Sequence, residues 1–126
     1  EVVAAVIENE NNEILCALRS PIMTLPNMWE FPGGKVEEGE SLYTAIEREI
    51  KEELKCSIKA IEIIGENRHE YEKIIVNLTA IKCNLVEGEP VADEHSKLIY
   101  LNKENLESLV WAPADIPLVK KVINIK

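Results

Sequence analysis

Apolar positions along the chain follow two different rhythms. Val2 to Ile7 is a nearly continuous apolar run, Ile14 to Leu18 is a second, and the polar stretch Glu8 to Asn12 separates them. Runs of this length around an Asn-rich connector predict a hairpin or two adjacent strands. Ser20 to Met28 holds two prolines and no clear period, which predicts a loop. From Ser41 the rhythm becomes helical, with Tyr43, Ile46, Ile50 and Leu54 forming one apolar stripe behind a Ser at the N-cap position. Ser57 to Gly65 and Ile74 to Leu85 predict two longer strands, with the polar Glu66 to Lys73 as their connector. Glu87-Gly88-Glu89-Pro90 is a turn, Leu98 to Leu101 a short strand, and Lys103 to Leu109 a short helix with Asn102 as its cap. The last helix runs from Ile116 to about Ile123, with Pro117 in its first turn and Ile116, Val119 and Ile123 as its buried stripe.

The helix after Ser41 carries a second pattern beside the apolar one. Glu49, Glu52 and Glu53 stand three and four positions apart, so they share an arc of roughly 100°. Like charges at this spacing cost an isolated helix about 0.2–0.5 kcal/mol per pair. A solvated acidic face is the plain explanation of such a run. A divalent cation such as Mg²⁺ would turn the repulsion into coordination, because hard cations prefer carboxylate oxygens.

The totals narrow the choice. A chain of 126 residues, 46% hydrophobic and 29% charged, is the size and composition of one soluble globular domain over residues 1–126. No apolar run approaches the roughly 18 residues of a membrane span, and no basic-then-apolar leader opens the chain. The three cysteines are odd in number and far apart, without C-x-x-C spacing, so neither a disulfide framework nor a zinc knuckle is indicated. Idle thiols in a reducing cytoplasm are expected. A net charge of −9 argues against a sequence-independent grip on a nucleic acid polymer. His69 and His95 lack metal-ligand spacing and read as surface or hydrogen-bonded side chains rather than zinc ligands. Neither a serine-nucleophile elbow nor a P-loop is present, so any phosphate binding must come through metal ions.

A longer register changes the odds. Gly34, five residues, Glu40, seven residues, Arg48-Glu49, the apolar Ile50, one residue and Glu52-Glu53 together resemble the signature of the Nudix hydrolases. Six fixed residues, each at roughly one-in-fifteen abundance, match by chance on the order of once in 10⁷ start positions. The resemblance implies an α/β Nudix fold, a mixed β-sheet sandwiched between α-helices. It also implies Mg²⁺-dependent hydrolysis (Mn²⁺ as a substitute) of a nucleoside diphosphate linked to another group. The partner is then a nucleotide substrate, with no membrane and no nucleic acid polymer, and the protein a monomer or homodimer. One position departs from the pattern: Lys55 stands where the family has Gly just past the helix. A left-handed residue with a Cβ costs about 1–2 kcal/mol there, so the departure concerns the helix exit.

Trp29-Glu30-Phe31-Pro32-Gly33-Gly34-Lys35 looks like the MutT-like branch of that family. In that branch the Gly33 position offers its carbonyl to a metal and Lys35 lies near phosphate. Trp29 and Phe31 are more simply core or loop anchors. The resemblance assigns metal binding to Gly33, Glu49, Glu52, Glu53 and Glu94. It gives Glu40 a supporting role beside Gly34, and Arg48 the orientation of the acids through ion pairs. Glu49 or Glu94 is the candidate general base. Arg19, otherwise a solvated strand-end charge, becomes a nucleotide contact.

Asp115 has two readings, a cap for the last helix or a contact to the base. The string Trp111-Ala112-Pro113-Ala114-Asp115-Ile116-Pro117 is similar to Nudix enzymes that hydrolyse CTP and related pyrimidine triphosphates. An ionised carboxylate accepts hydrogen bonds and so suits the N4 amine of cytosine. The expected reaction is hydrolysis of a (deoxy)nucleoside triphosphate to the monophosphate and pyrophosphate. Alternatives are an oxidised purine triphosphate of the 8-oxo-dGTP type, another nucleoside-diphosphate substrate, or a catalytically silent binding module.

Overall fold

The computed structural model describes residues 1–125. Its elements are β1 (Val2–Glu8), β2 (Glu13–Leu18), β3 (Trp29–Glu30), β4 (Gly33–Lys35), α1 (Leu42–Leu54), β5 (Ser57–Tyr71), β6 (Ile74–Glu87), β7 (Lys97–Asn102) and α2 (Ile116–Ile123), with 3₁₀ turns at Lys103–Ser108 and Pro113–Asp115. Among the described residues the strands form one seven-stranded sheet in the order β3-β2-β1-β6-β5, with β4 on β1 and β7 on β2. The β1–β6 pair is parallel and the others are antiparallel, so the sheet is mixed.

Side chains of successive strand residues point to opposite faces. Val3, Ala5 and Ile7 therefore join Leu15, Ile81 and Cys83 on one face, packed against Ala45, Ile46, Ile50 and Leu54 of α1. Ala4, Val6, Ile14, Cys16, Leu78 and Ala80 face the other way, against Leu106, Leu118, Val119 and Val122. Both faces of the central strands are covered, which is why β1 reads as a continuous apolar run instead of an alternating one. All three cysteines are free and buried. Burial pushes the Cys16 and Cys83 thiols up to about 12, so they are inert packing groups. No described helix is long and apolar enough to cross a membrane.

Several local expectations are corrected. The polar stretch Glu66 to Lys73 is not a connector: β5 continues to Tyr71, pairs with β6 along its length, and turns at Glu72-Lys73. Backbone pairing overrides side-chain polarity there, and the resulting two-stranded arm carries many solvent-facing residues. Tyr43 is exposed; Ala45 fills the buried stripe of α1, and the Tyr43 hydroxyl donates to the Ile61 carbonyl at 3.2 Å. Lys103–Ser108 is a 3₁₀ turn without a side-chain cap from Asn102. In α2 the buried stripe is Leu118, Val119 and Val122, while Ile116 is exposed and Ile123 only partly buried.

The ends of α1 follow local chemistry. Ser41 Oγ accepts from the Thr44 N–H at 3.1 Å, the expected N-cap. At the other end Lys55 does occupy the left-handed region, at φ 59°. Two contacts offset that strain by satisfying terminal carbonyls of the helix. Lys55 Nζ donates to the Glu52 carbonyl at 2.7 Å, and Val91 N donates to the Leu54 carbonyl at 2.8 Å.

Candidate active site

The buried stripe of α1 fixes its rotation, so its acids must face the β1–β4 edge of the sheet. There β4 lies against β1 with Gly33 opposite Ala4 and Gly34 opposite Val3. A Cβ on Gly33 would run into the Val3 carbonyl, and one on Gly34 into the Glu49 carboxylate. Both glycines are needed for close approach, the first of strand to strand and the second of helix acid to strand.

Arg48 organises the acids from behind. Its Nε and Nη2 donate to the two oxygens of Glu40 at 2.6 and 2.9 Å, a bidentate pair. Its Nη1 reaches Glu49 at 3.1 Å and Glu52 at 3.4 Å, and Nη2 also donates to the Lys35 carbonyl at 3.1 Å. The hydrogen bond from Arg48 holds the Glu40 carboxyl below its ordinary range, with help from the Glu37 backbone N–H. Glu40 thus acts as the anchor of Arg48, while Ser41 caps the helix.

An open cleft of about 970 Å³ runs past this edge. Glu49, Glu52, Glu53, Gly33, Gly34 and Lys35 line one end, and Glu94 joins them from the loop before β7. Arg19 and Asp115 line the same cleft. Arg48 and Glu40 do not, and stand outside the wall as supports. Lys35 is exposed, and among the described residues its ammonium has no ion-pair partner. Arg19 is differently placed. Its Nε donates to the Thr24 carbonyl at 2.6 Å, Nη2 to Thr24 Oγ1 at 3.0 Å, and Nη1 to Glu30 at 2.8 Å.

The acids differ in their surroundings. Glu52 is exposed, whereas the Glu53 side chain is 16% exposed. Burial pushes the Glu53 carboxyl up to about 7; His95 opposes the shift, and Glu49 and Glu94 add to it. Among the described residues no three acid, His or Cys side chains already converge as a cation cage. The donor set nevertheless fits a hard divalent cation. Burial, with the neighbouring charges of Glu49 and Glu94, keeps the proton on Glu53, and a positive ion bound by these oxygens would favour the ionised form.

The surroundings of three side chains go beyond the sequence reading. His95 is deeply buried, with Nε2 2.8 Å from Glu30 and Nδ1 3.8 Å from Glu53. Hydrogen bonding had been expected for it, but not burial beside the acid cluster; its position directly after Glu94 was the available signal. Glu30 links Arg19 to His95 through its two oxygens. Asp115 occupies the N-cap position of α2, but its side chain makes no cap hydrogen bond. It is 5% exposed, and its Oδ2 accepts from the Phe31 N–H at 3.1 Å. Burial pushes its carboxyl up to about 8 against the pull of the Phe31 N–H. Phe31 itself is core, its ring 4.8 Å from that of Trp111.

Comparison with known proteins agrees with this geometry. The chain matches the NUDIX domain over residues 1–122. It is 36% identical over 126 residues to the CTP pyrophosphohydrolase of Escherichia coli K12, covering 100% of this chain and 93% of that protein. It is 29% identical to the 8-oxo-dGTP diphosphatase of the same organism, covering 97% and 95%. Among solved structures, a MutT protein of the Nudix hydrolase family from methicillin-resistant Staphylococcus aureus 252 superposes with a TM-score of 0.78 at 47% identity, covering 98% of this chain and 94% of that one. With the signature helix, its supporting arginine and the paired glycines meeting at one cleft, the chain belongs to the Nudix hydrolases, enzymes that cut nucleoside diphosphates linked to another group.

Proposed function

We propose that the chain hydrolyses a nucleoside triphosphate, with cytosine or another pyrimidine as the favoured base, to the monophosphate and pyrophosphate. The observation that carries this reading is that one cleft joins the acid face of α1 to a buried carboxylate, Asp115. The first end suits phosphates and the second a base. Asp115 uses Oδ2 on Phe31, and among the described residues its other oxygen has no hydrogen-bond partner. A hydrogen-bond donor such as the N4 amine of cytosine favours the ionised form of the carboxyl, and that oxygen then accepts from it. The similarity to a CTP pyrophosphohydrolase supports the same choice.

Nudix hydrolases use divalent cations. Here Glu49, Glu52, Glu53, Glu94 and the Gly33 carbonyl would hold Mg²⁺ or Mn²⁺, which supplies charge neutralisation on the phosphates and acidifies water. The chain's own groups do the rest. Glu49 or Glu94 takes the proton of a water that adds to phosphorus, and the phosphoanhydride bond breaks to leave pyrophosphate. Lys35 stabilises charge gathering on the phosphate oxygens. Arg48, locked on Glu40, keeps Glu49 and Glu52 oriented. Arg19 contacts the nucleotide from a position already fixed by Thr24 and Glu30. Such an enzyme acts in the cytoplasm, where its substrates are.

A second reading draws on the burial of Asp115. A carboxyl held up to about 8 carries a proton at neutral pH and donates to a purine O6, which suits an oxidised guanine. A panel of nucleoside triphosphates with Mg²⁺, read for pyrophosphate against orthophosphate, tests both. Fastest pyrophosphate release from cytosine nucleotides is expected. Release of orthophosphate alone, or no release from any nucleotide, would end the proposal.

A further inference from the structure

Ala114, the residue before Asp115, is held at both its carbonyl and its amide by the β5–β6 arm. On its carbonyl side, Asn67 Nδ2 donates to Ala114 O at 3.0 Å. On its amide side, Ala114 N donates to the Tyr71 hydroxyl at 3.1 Å. Asn67 and Tyr71 lie four positions apart on β5, so they share one face of the strand with His69 between them. The His69 ring packs edge-on against Tyr71 with centroids 4.4 Å apart, which steadies the hydroxyl. Ala114 is 4% exposed, so its amide and carbonyl depend on these partners.

Asp115 has little freedom left once Ala114 is held. Its own N–H donates to the Ala112 carbonyl at 2.9 Å, and its Oδ2 is tied to Phe31. The direction of the free oxygen of this cleft-lining residue is therefore set by the orientation of the Ala114 segment. Tyr71 also lines the cleft, but Asn67 does not, so any influence of Asn67 on a nucleotide must pass through Ala114.

We infer that Asn67, with Tyr71 as the opposing jaw, is a specificity-positioning residue that aims Asp115 at the base. This rests on the proposed contact between Asp115 and the base. Loss of the jaw lets the 113–115 turn rotate, so discrimination between bases fails while the acid helix and its chemistry stay intact. Asn67→Asp is the sharpest change, because it keeps the shape and replaces the donor by an oxygen that cannot bond a carbonyl.

The test is a set of kcat/KM ratios, cytosine over guanine triphosphate, for wild type, Asn67→Asp, Tyr71→Phe, Asp115→Ala and the Asn67→Asp/Asp115→Ala double variant. Each jaw variant is expected to lower the ratio about 5- to 10-fold, the worth of one hydrogen bond, chiefly through KM. The double variant should be no worse than Asp115→Ala, because one residue acts through the other. Asparagine at 67 is expected to be partly replaced by glutamine, which restores a donor. If Asp115→Ala changes the ratio and the jaw variants do not, positioning by Asn67 is refuted while the base contact stands. If Asp115→Ala leaves the ratio unchanged, the base contact itself is refuted. A jaw variant that lowers only the melting temperature, with the ratio unchanged, reduces the bracket to backbone satisfaction.

Discussion

Glu53 and Asp115 are both carboxyls driven upward by burial, at the two ends of one cleft, yet their surroundings differ in kind. Glu53 sits among other ionisable groups: Glu49 and Glu94 raise it further and His95 opposes them. Asp115 has one direct partner, the Phe31 N–H, and more distant influences from Glu30 and Arg19. Crowded acids favour a cation, which relieves every pair of them at once. A solitary buried carboxyl favours a hydrogen-bonding ligand, because a bare charge there stays costly. On the proposed function, the same cause serves metal and phosphate at one end and a neutral base at the other.

The largest effect should come from the crowded end. Glu53→Gln removes a ligand charge while keeping the shape, and turnover is expected to fall by at least about 100-fold with the fold intact. Circular dichroism and pyrophosphate release check the two halves of that statement, and a fully active variant would dissolve the contrast. Next in size is Asp115→Asn, where base preference should move by about 10-fold toward bases offering an O6 acceptor, since the amide both donates and accepts. Unchanged preference would make Asp115 a structural anchor for Phe31.

Stability against pH sharpens the comparison further. An Asp raised by burial from its ordinary value of 3.8 to about 8 keeps its proton in the native chain across that window while the unfolded chain releases it. Its contribution is complete below pH 3.8 and is lost as pH rises toward about 8, at no more than about 1.4 kcal/mol per pH unit. Asp115→Asn should therefore flatten the fall in melting temperature between pH 5 and 8. Glu53, raised from 4.5 to about 7, slopes the same way in the absence of metal, and excess Mg²⁺ should abolish its share but not that of Asp115. Equal flattening of both by Mg²⁺ would show that the two ends are not distinct. The smallest effect belongs to neither end. Lys55→Gly relieves a left-handed residue, and stability is expected to rise by about 1 kcal/mol less the lost Lys55–Glu52 contact, with activity unchanged.

The acid helix was legible before any fold was known, for a local reason. Helical spacing alone puts Glu49, Glu52 and Glu53 on one arc, Ser41 caps within three residues, and Arg48 reaches Glu49 and Glu52 within a single turn. The covered central strands were legible too, because burial on both faces leaves an unbroken apolar run. The 66–73 arm was misread, since backbone pairing outweighs residue preference there. Lys55 was located at the exit of α1, but the contacts that offset its strain were not legible.

The other end of the cleft belongs to tertiary structure. Asp115 meets Phe31 across 84 residues of chain, Glu30 meets His95 across 65, and Asn67 meets Ala114 across 47. No short-range pattern encodes such pairs; a carboxylate after Pro-Ala looks like a helix cap until the sheet brings another backbone N–H to it. Chain order specified which groups could bind metal, through the turn of one helix. Packing alone decided that Asp115 would be a buried carboxyl in the wall of the cleft, because desolvation and partners are properties of assembled surfaces.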